Sequence, residues 1–194
     1  METQLLITDQ FYNDVDAVRE FALQQDFSVK GNYPGNRTIS FLNDSIKETI
    51  ESIIKPHAGK VIYWSEDQYT GAFQYTTSRE RSWIHADQTT EWAGVCYLTP
   101  NAPHSAGTGI FRHKETGLIR APKNEDGSLN RELIDYIGKD SQDMTKWDLV
   151  DVVGNVYNRL VLYRGDLFHM SLDYFGNNLY DSRLFQTFFF TTER

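Results

Sequence analysis

The chain has 194 residues, 40% of them hydrophobic and 14% aromatic, which suits one globular domain with one sizeable core and excludes a disordered chain. Its net charge is −8 with Lys and Arg scattered, which disfavours a nucleic-acid backbone binder, a class that needs a basic face. No apolar run approaches the roughly 20 residues of a membrane span, residues 1–8 lack the basic start and apolar core of a signal peptide, and the lone cysteine, Cys96, reads as a buried packing residue in a reducing compartment; the expectation is a cytoplasmic protein with no membrane partner.

Leu5-Leu6-Ile7 reads as a short first strand. Asn13 or Asp14 can cap a helix that runs to about Gln24, with Val15, Val18, Phe21 and Ala22 on one face. Asn32-Tyr33-Pro34-Gly35-Asn36 has the composition of a turn. A second helix is expected from about Asp44 to Ile54, with Ile46, Ile50, Ile53 and Ile54 inward and Pro56 ending it. After that the pattern changes from a period of 3.6 to short aromatic and β-branched runs. Residues 61–64, 72–76, 83–87, 92–98 and 109–112 read as strands, and 149–153, 156–163, 167–170 and 184–190 resume the pattern. Between them, the polar stretch 113–146 reads as an insertion with a helix over 130–137, placed where a substrate lid would be.

Helices first and strands afterwards, with no internal repeat and no linker, predict an α+β fold: a double-stranded β-helix, or cupin-like jelly roll, buttressed by N-terminal helices. On this reading residues 1–194 are a single domain, with a strand and helices in 1–60 and the jelly-roll core in 61–194.

One stretch, Trp83-Ile84-His85-Ala86-Asp87, carries chemistry. On a strand, His85 and Asp87 share a face, roughly 6–7 Å apart along the backbone. His-x-Asp is a weak motif alone, since the two residues can simply hydrogen-bond to each other. A third corner could come from His169 in Gly165-Asp166-Leu167-Phe168-His169. Two His and one carboxylate leave the opposite metal positions open, as in non-heme Fe(II) oxygenases. Arg183 opens the most hydrophobic strand, Arg183-Leu184-Phe185-Gln186-Thr187-Phe188-Phe189-Phe190. A charge there must be exposed or paired, either with Asp181 or another acid at the strand end or, inside a barrel, with the carboxylate of a ligand. His57, His104 and His113 read as surface or loop residues, and Trp83, Trp92 and Trp147 as core or rim packing.

In these residues the chain resembles the Fe(II)/2-oxoglutarate-dependent oxygenase superfamily: His85-x-Asp87, a distal His169, and Arg183 some 14 residues later. The run Asn158 to His169 resembles the strand leading to the distal His in prolyl-hydroxylase-like members. Residues 95–98 and 107–111 resemble the strands that follow the first His. The resemblance covers about residues 70–191 and is strongest to small phage and bacterial members of unknown substrate. It implies His85, Asp87 and His169 as iron ligands and Arg183 as partner of the distal carboxylate of 2-oxoglutarate. Many relatives place Ser or Thr two residues after that Arg; here the position is Phe185, so the second carboxylate contact falls to Tyr97 or Thr187. The implied activity is a dioxygenase, of the hydroxylase kind, that couples decarboxylation of 2-oxoglutarate to succinate with oxidation of a small molecule or protein side chain by molecular oxygen. Two other readings stay open: a cupin-like metal enzyme that does not use 2-oxoglutarate, and a non-catalytic jelly-roll binding module.

Overall fold

The computed structural model describes residues 2–31, 33–67 and 69–193. Strand β1 (Leu5–Thr8) leads into helix α1 (Val15–Leu23), whose first turn is capped by the Asp14 carboxylate accepting from the Ala17 N–H at 3.0 Å. Of the predicted turn, Asn32 lies outside the described residues; Gly35 takes a positive φ of 98° that favours glycine, and the chain then enters a strand the sequence did not announce, β2 (Asn36–Ser40). Helix α2 (Asp44–Ala58) is capped by Asn43 and runs four residues further than expected. Pro56 does not end it. In the last turn the missing proline N–H costs one hydrogen bond, and burial of Ala58 with Gly59 at φ 81° as terminator offsets that loss.

The remaining strands are β3 (Val61–Trp64), β4 (Ala72–Thr76), β5 (Trp92–Tyr97), β6 (Thr108–His113), β7 (Trp147–Val153), β8 (Leu160–Arg164), β9 (His169–Ser171) and β10 (Arg183–Thr192); helix α3 (Arg131–Gly138) lies inside the insertion. Among the described residues they form two antiparallel sheets. The large one runs β1-β8-β5-β10-β4-β2, with β3 also paired to β10; the small one runs β7-β6-β9. The predicted strand over 156–163 starts late, because Asn158 sits at φ 63° and its side-chain amide ties the loop to the backbone of Tyr12.

Alternation divides the large sheet cleanly. Trp92, Cys96, Leu160, Leu162, Leu184, Phe188 and Phe190 face outward, where α1 and α2 supply Ala22, Ile50 and Ile54. Ala93, Val95, Tyr97, Val161, Tyr163 and Phe185 face into the roll, toward Val153 of the small sheet. Both faces being covered explains why β5 and β8 read as unbroken apolar runs. Each such aliphatic or aromatic side chain contributes about 1.5–3 kcal/mol. A third cluster, Ile84, Phe111, Ile137, Trp147 and Phe168, lies where α3 packs on the outer face of the small sheet. The result is the double-stranded β-helix that the strand pattern predicts, with helices buttressing its large sheet. Among the described residues no helix is long and apolar enough to cross a membrane.

Candidate metal centre and its cavity

The expected strand over 83–87 is instead an extended segment held by one bridge, His85 to His169. The two residues exchange both backbone hydrogen bonds, His85 N–H to His169 O at 3.0 Å and the reverse at 2.8 Å. Residues directly opposite each other in an antiparallel pair project to one side, so the imidazoles stand together, ring centroids 4.4 Å apart. The ladder stops there because the Leu167 N–H is spent on a turn with the Arg164 carbonyl. The Asp87 N–H therefore reaches the Gly165 carbonyl at 2.7 Å, which swings the carboxylate toward both rings.

The tautomers follow from the acceptors. His85 Nδ1 lies 3.1 Å from the Trp83 carbonyl and His169 Nδ1 lies 2.8 Å from the Leu167 carbonyl. A carbonyl only accepts, so each Nδ1 carries the proton and each Nε2 presents a lone pair. Those lone pairs face Asp87: His85 Nε2 is 4.0 Å from Oδ1 and His169 Nε2 is 3.6 Å from Oδ2. These separations exceed a hydrogen bond, so the two His do not simply hydrogen-bond to the Asp. One ligand atom from each residue falls within 4.8 Å of the others. Burial depresses the pKa of both imidazoles, and that of His169 falls further because His85 is beside it. Burial, with Asp67 nearby, pushes the Asp87 carboxyl up to about 7. Two Nε2 lone pairs and a carboxyl group converging on one point are the donor set a divalent cation would hold. Tyr33 and Tyr163 bracket the pair, ring centroids 4.8 Å from His85 and 4.6 Å from His169.

The triad opens on a cavity of about 500 Å³ inside the roll, lined also by Thr108, Phe185 and Thr187. Arg183 points into the roll, as alternation requires, and is fully buried. Its Nε donates to the Ala106 carbonyl at 3.0 Å, while Nη1 and Nη2 are shut off from solvent with no hydrogen-bond partner among the described residues. The guanidinium carbon lies 4.4 Å from the Phe185 ring centroid and 5.3 Å from that of Tyr97. Asp181 is not its partner, since that carboxylate accepts from the Asn177 and Asn178 N–H groups. The Tyr97 hydroxyl is 2.7 Å from Thr108 Oγ1; burial raises its pKa and the Arg183 cation opposes the rise. Thr187 shares the inner face, but its hydroxyl donates to the Tyr69 carbonyl at 2.6 Å.

Gly107 lets the Ala106 carbonyl sit under Arg183. A Cβ at that position would lie 1.8 Å from the Val153 carbonyl oxygen, a backbone atom that cannot swing aside. Gly107→Ala is expected to lose about 3 kcal/mol of stability, measured by denaturant unfolding; a loss under about 0.5 kcal/mol, the range of ordinary surface changes, would show that the contact is soft.

The other histidines divide. His57 and His104 are exposed, as expected. His113 is not a surface residue: it is fully buried, its Nε2 3.1 Å from Asp140 and its ring 4.9 Å from Trp147. None of the insertion residues lines the cavity. Residues 119–121 bond to 166–168 and α3 covers the outside of the small sheet, so the insertion reaches the rim through Arg131 bonding to Gln88 rather than as a lid. Trp83 lies on the cavity wall, whereas Trp92 and Trp147 are core. Sequence reasoning missed Arg37, Tyr33, Gln74, Thr108 and Tyr163, which also line the cavity. Arg37 and Tyr33 fell in or next to a stretch whose Pro and Gly pointed to a turn. The alternation in Asn36-Arg37-Thr38-Ile39-Ser40 was the available signal.

The fold is that of the 2-oxoglutarate oxygenases. HygX from Streptomyces hygroscopicus, crystallised with nickel and 2-oxoglutarate bound, superimposes with a TM-score of 0.66 at 11% identity, over 98% of this chain and 84% of that one. The same protein with hygromycin B also bound gives 0.61 at 11% identity, with 98% and 84% covered. A prolyl hydroxylase from Trichoplax adhaerens, in complex with a hypoxia inducible factor peptide fragment, gives 0.50 at 13% identity over 98% and 84% of the two chains. By sequence, the chain belongs to the family of unknown function DUF6445, whose family model matches residues 1–172. That span contains His85, Asp87 and His169 and stops short of Arg183. No curated protein matches the sequence.

Proposed function

We propose that the protein is an Fe(II)- and 2-oxoglutarate-dependent dioxygenase of the hydroxylase kind, acting as a single unit in a reducing, cytoplasmic setting. The observation that carries this reading is the Arg183 guanidinium, buried in the same roll as the triad with two of its nitrogens unpartnered. An unpaired buried cation is very costly unless an anion arrives to meet it. The carboxylate of a cosubstrate is the anion that suits a planar fork.

In this reading His85 Nε2, His169 Nε2 and one Asp87 oxygen hold the iron, and Arg183 takes the distal carboxylate of 2-oxoglutarate. Iron and cosubstrate together supply the oxidising power, with decarboxylation to succinate coupled to substrate oxidation. The protein does the rest. The Trp83 and Leu167 carbonyls fix the ring orientation of the two His through their Nδ1–H groups. Tyr97 and Thr108, hydrogen-bonded to each other beside Arg183, offer a hydroxyl for the second carboxylate oxygen. Thr187 contributes wall rather than a hydrogen bond, since its hydroxyl is already committed. Val95, Phe185 and Phe189 keep the cavity apolar around the reacting groups. A cupin-like enzyme without 2-oxoglutarate would leave the two Arg183 nitrogens without a purpose, and a binding module would leave the triad without one.

Anaerobic titration with Fe(II) and then 2-oxoglutarate tests the reading. A weak visible metal-to-ligand charge-transfer band is expected, followed by succinate when oxygen is admitted. Iron binding with no band would favour the cupin-like alternative, and no iron binding would end the enzyme reading.

A further inference from the structure

Arg37, on β2, is a second buried cation without an anion. It is 3% exposed. Its Nε donates to Gln74 Oε1 at 3.3 Å and its Nη2 to the Tyr33 carbonyl at 3.0 Å, while Nη1 is shielded from solvent and finds no acceptor among the described residues. The guanidinium carbon lies 5.1 Å from the Tyr69 ring centroid, a cation–π contact that orients the plane without neutralising the charge. Asp67 lines the same wall, but its Oδ1 is occupied by the Tyr69 and Thr70 N–H groups and it forms no ion pair with Arg37.

Two observations tie Arg37 to the reaction chamber. The residue whose carbonyl holds it, Tyr33, lays its ring 4.8 Å from His85. Register then places Arg37 opposite Gln74, Gln74 opposite Phe185 and Phe185 opposite Tyr97, one row across β2, β4, β10 and β5. Arg183 stands over Phe185 in that row. Arg37 therefore stands on the cavity wall, while Arg183 lies behind Phe185 in the same row and is not itself among the lining residues.

We propose that Arg37 receives a carboxylate of the primary substrate, which makes the substrate an organic acid or amino acid rather than a neutral or cationic compound. This rests on the reading above, in which Arg183 and the iron already take both ends of 2-oxoglutarate, so an anion on Arg37 belongs to a third group. A guanidinium fixed on two sides by a backbone carbonyl and a glutamine amide has little ordering left to lose, and charge-assisted bonds from it select a carboxylate over its amide.

The test uses protein loaded anaerobically with Fe(II) and 2-oxoglutarate, its charge-transfer band confirmed, and then challenged with a panel of small monocarboxylates and α-amino acids, each beside its carboxamide. At least one carboxylate is expected to raise the unfolding midpoint while its carboxamide does not. Two variants should weaken that binding by about tenfold or more, which corresponds to about 1.4 kcal/mol. One is Arg37→Gln. The other is Gly31→Ala, at an exposed backbone position, whose added Cβ would lie 1.8 Å from Arg37 Nη1 and so displace the guanidinium while leaving the arginine in place. Both should keep the 2-oxoglutarate band at the wild-type cosubstrate concentration. The inference is overturned if no carboxylate stabilises the loaded wild type, if carboxamides bind as well, or if Arg37→Gln loses the band, which would put Arg37 on the cosubstrate. Absence of the band in wild type overturns the cosubstrate reading and this one with it.

Discussion

Arg183→Met is expected to give a protein that is harder to unfold than the parent and blind to 2-oxoglutarate. Methionine has nearly the length of the arginine stem and no charge. The parent buries a guanidinium with one nitrogen of three, Nε, bonded to protein, on the Ala106 carbonyl. Removing such a charge does not orphan that carbonyl, because Asn155 Nδ2 also donates to it at 3.1 Å. Replacing buried ionic groups by apolar ones of similar volume is neutral to stabilising by about 1–4 kcal/mol, which for a chain of this size is a rise of roughly 2–4 °C in the unfolding midpoint per kcal/mol. Losing the charged partner of the cosubstrate carboxylate costs about 2–5 kcal/mol of binding, a weakening of thirtyfold to several thousandfold. Calorimetric unfolding and titration of the charge-transfer band read the two effects separately. A structural arginine would behave in the opposite way: the variant would lose stability and bind 2-oxoglutarate as before. That outcome would remove the main support for the proposed activity.

The parts of this architecture that were legible in the sequence are those set by local chemistry. Asp14 and Asn43 announce two helix starts, and Asn130 announces α3 by the same means, its side chain accepting from the Leu133 N–H. The doubly covered strands β5, β8 and β10 show as apolar runs whatever they pair with. Spacing alone suggested that His85, Asp87 and His169 could converge, and they do converge, although the local structure differs from the strand that spacing assumed. That geometry depends on the turn at Arg164 to Leu167, which truncates the ladder and brings the Gly165 carbonyl under Asp87, a long-range event with no local signature. β2 was hidden for a related reason. Pro34 and Gly35 dominate the local reading, while the strand exists because β4 offers it an edge. His113 looked like a strand-end surface residue because nothing nearby in sequence reveals that Asp140, 27 residues on, folds back to meet it. The insertion misled by its polarity: its few apolar residues, Leu118, Leu133 and Ile137, are the ones that pack against the small sheet.

Asp87→Asn is expected to cut a metal response to half or less without weakening the metal-free fold. The Nε2 atoms of His169 and His85 face the Asp87 carboxyl at 3.6 and 4.0 Å, beyond hydrogen-bond distance. An amide at position 87 replaces an acceptor by a group with two N–H donors, so either ring nitrogen gains a partner and the metal-free midpoint should stay level or rise. Wild type should behave as a protein that binds a cation only when folded: Fe(II) without oxygen, or Ni(II) in air, at 100 times its dissociation constant stabilises by about 2.7 kcal/mol. In the variant the same metal concentration should give no more than about 0.4–1.4 kcal/mol, because losing a ligand costs at least the 10–100-fold in affinity typical of losing a group that merely orients one. His169→Ala should also cut the metal response, but at a cost in metal-free stability, since it empties a buried position flanked by Tyr163 and His85. The two variants together separate ligation from packing. If Asp87→Asn destabilises the metal-free protein by several kcal/mol and neither cation shifts the wild-type midpoint, the three side chains form a structural polar cluster, and the proposed chemistry has no metal to work with.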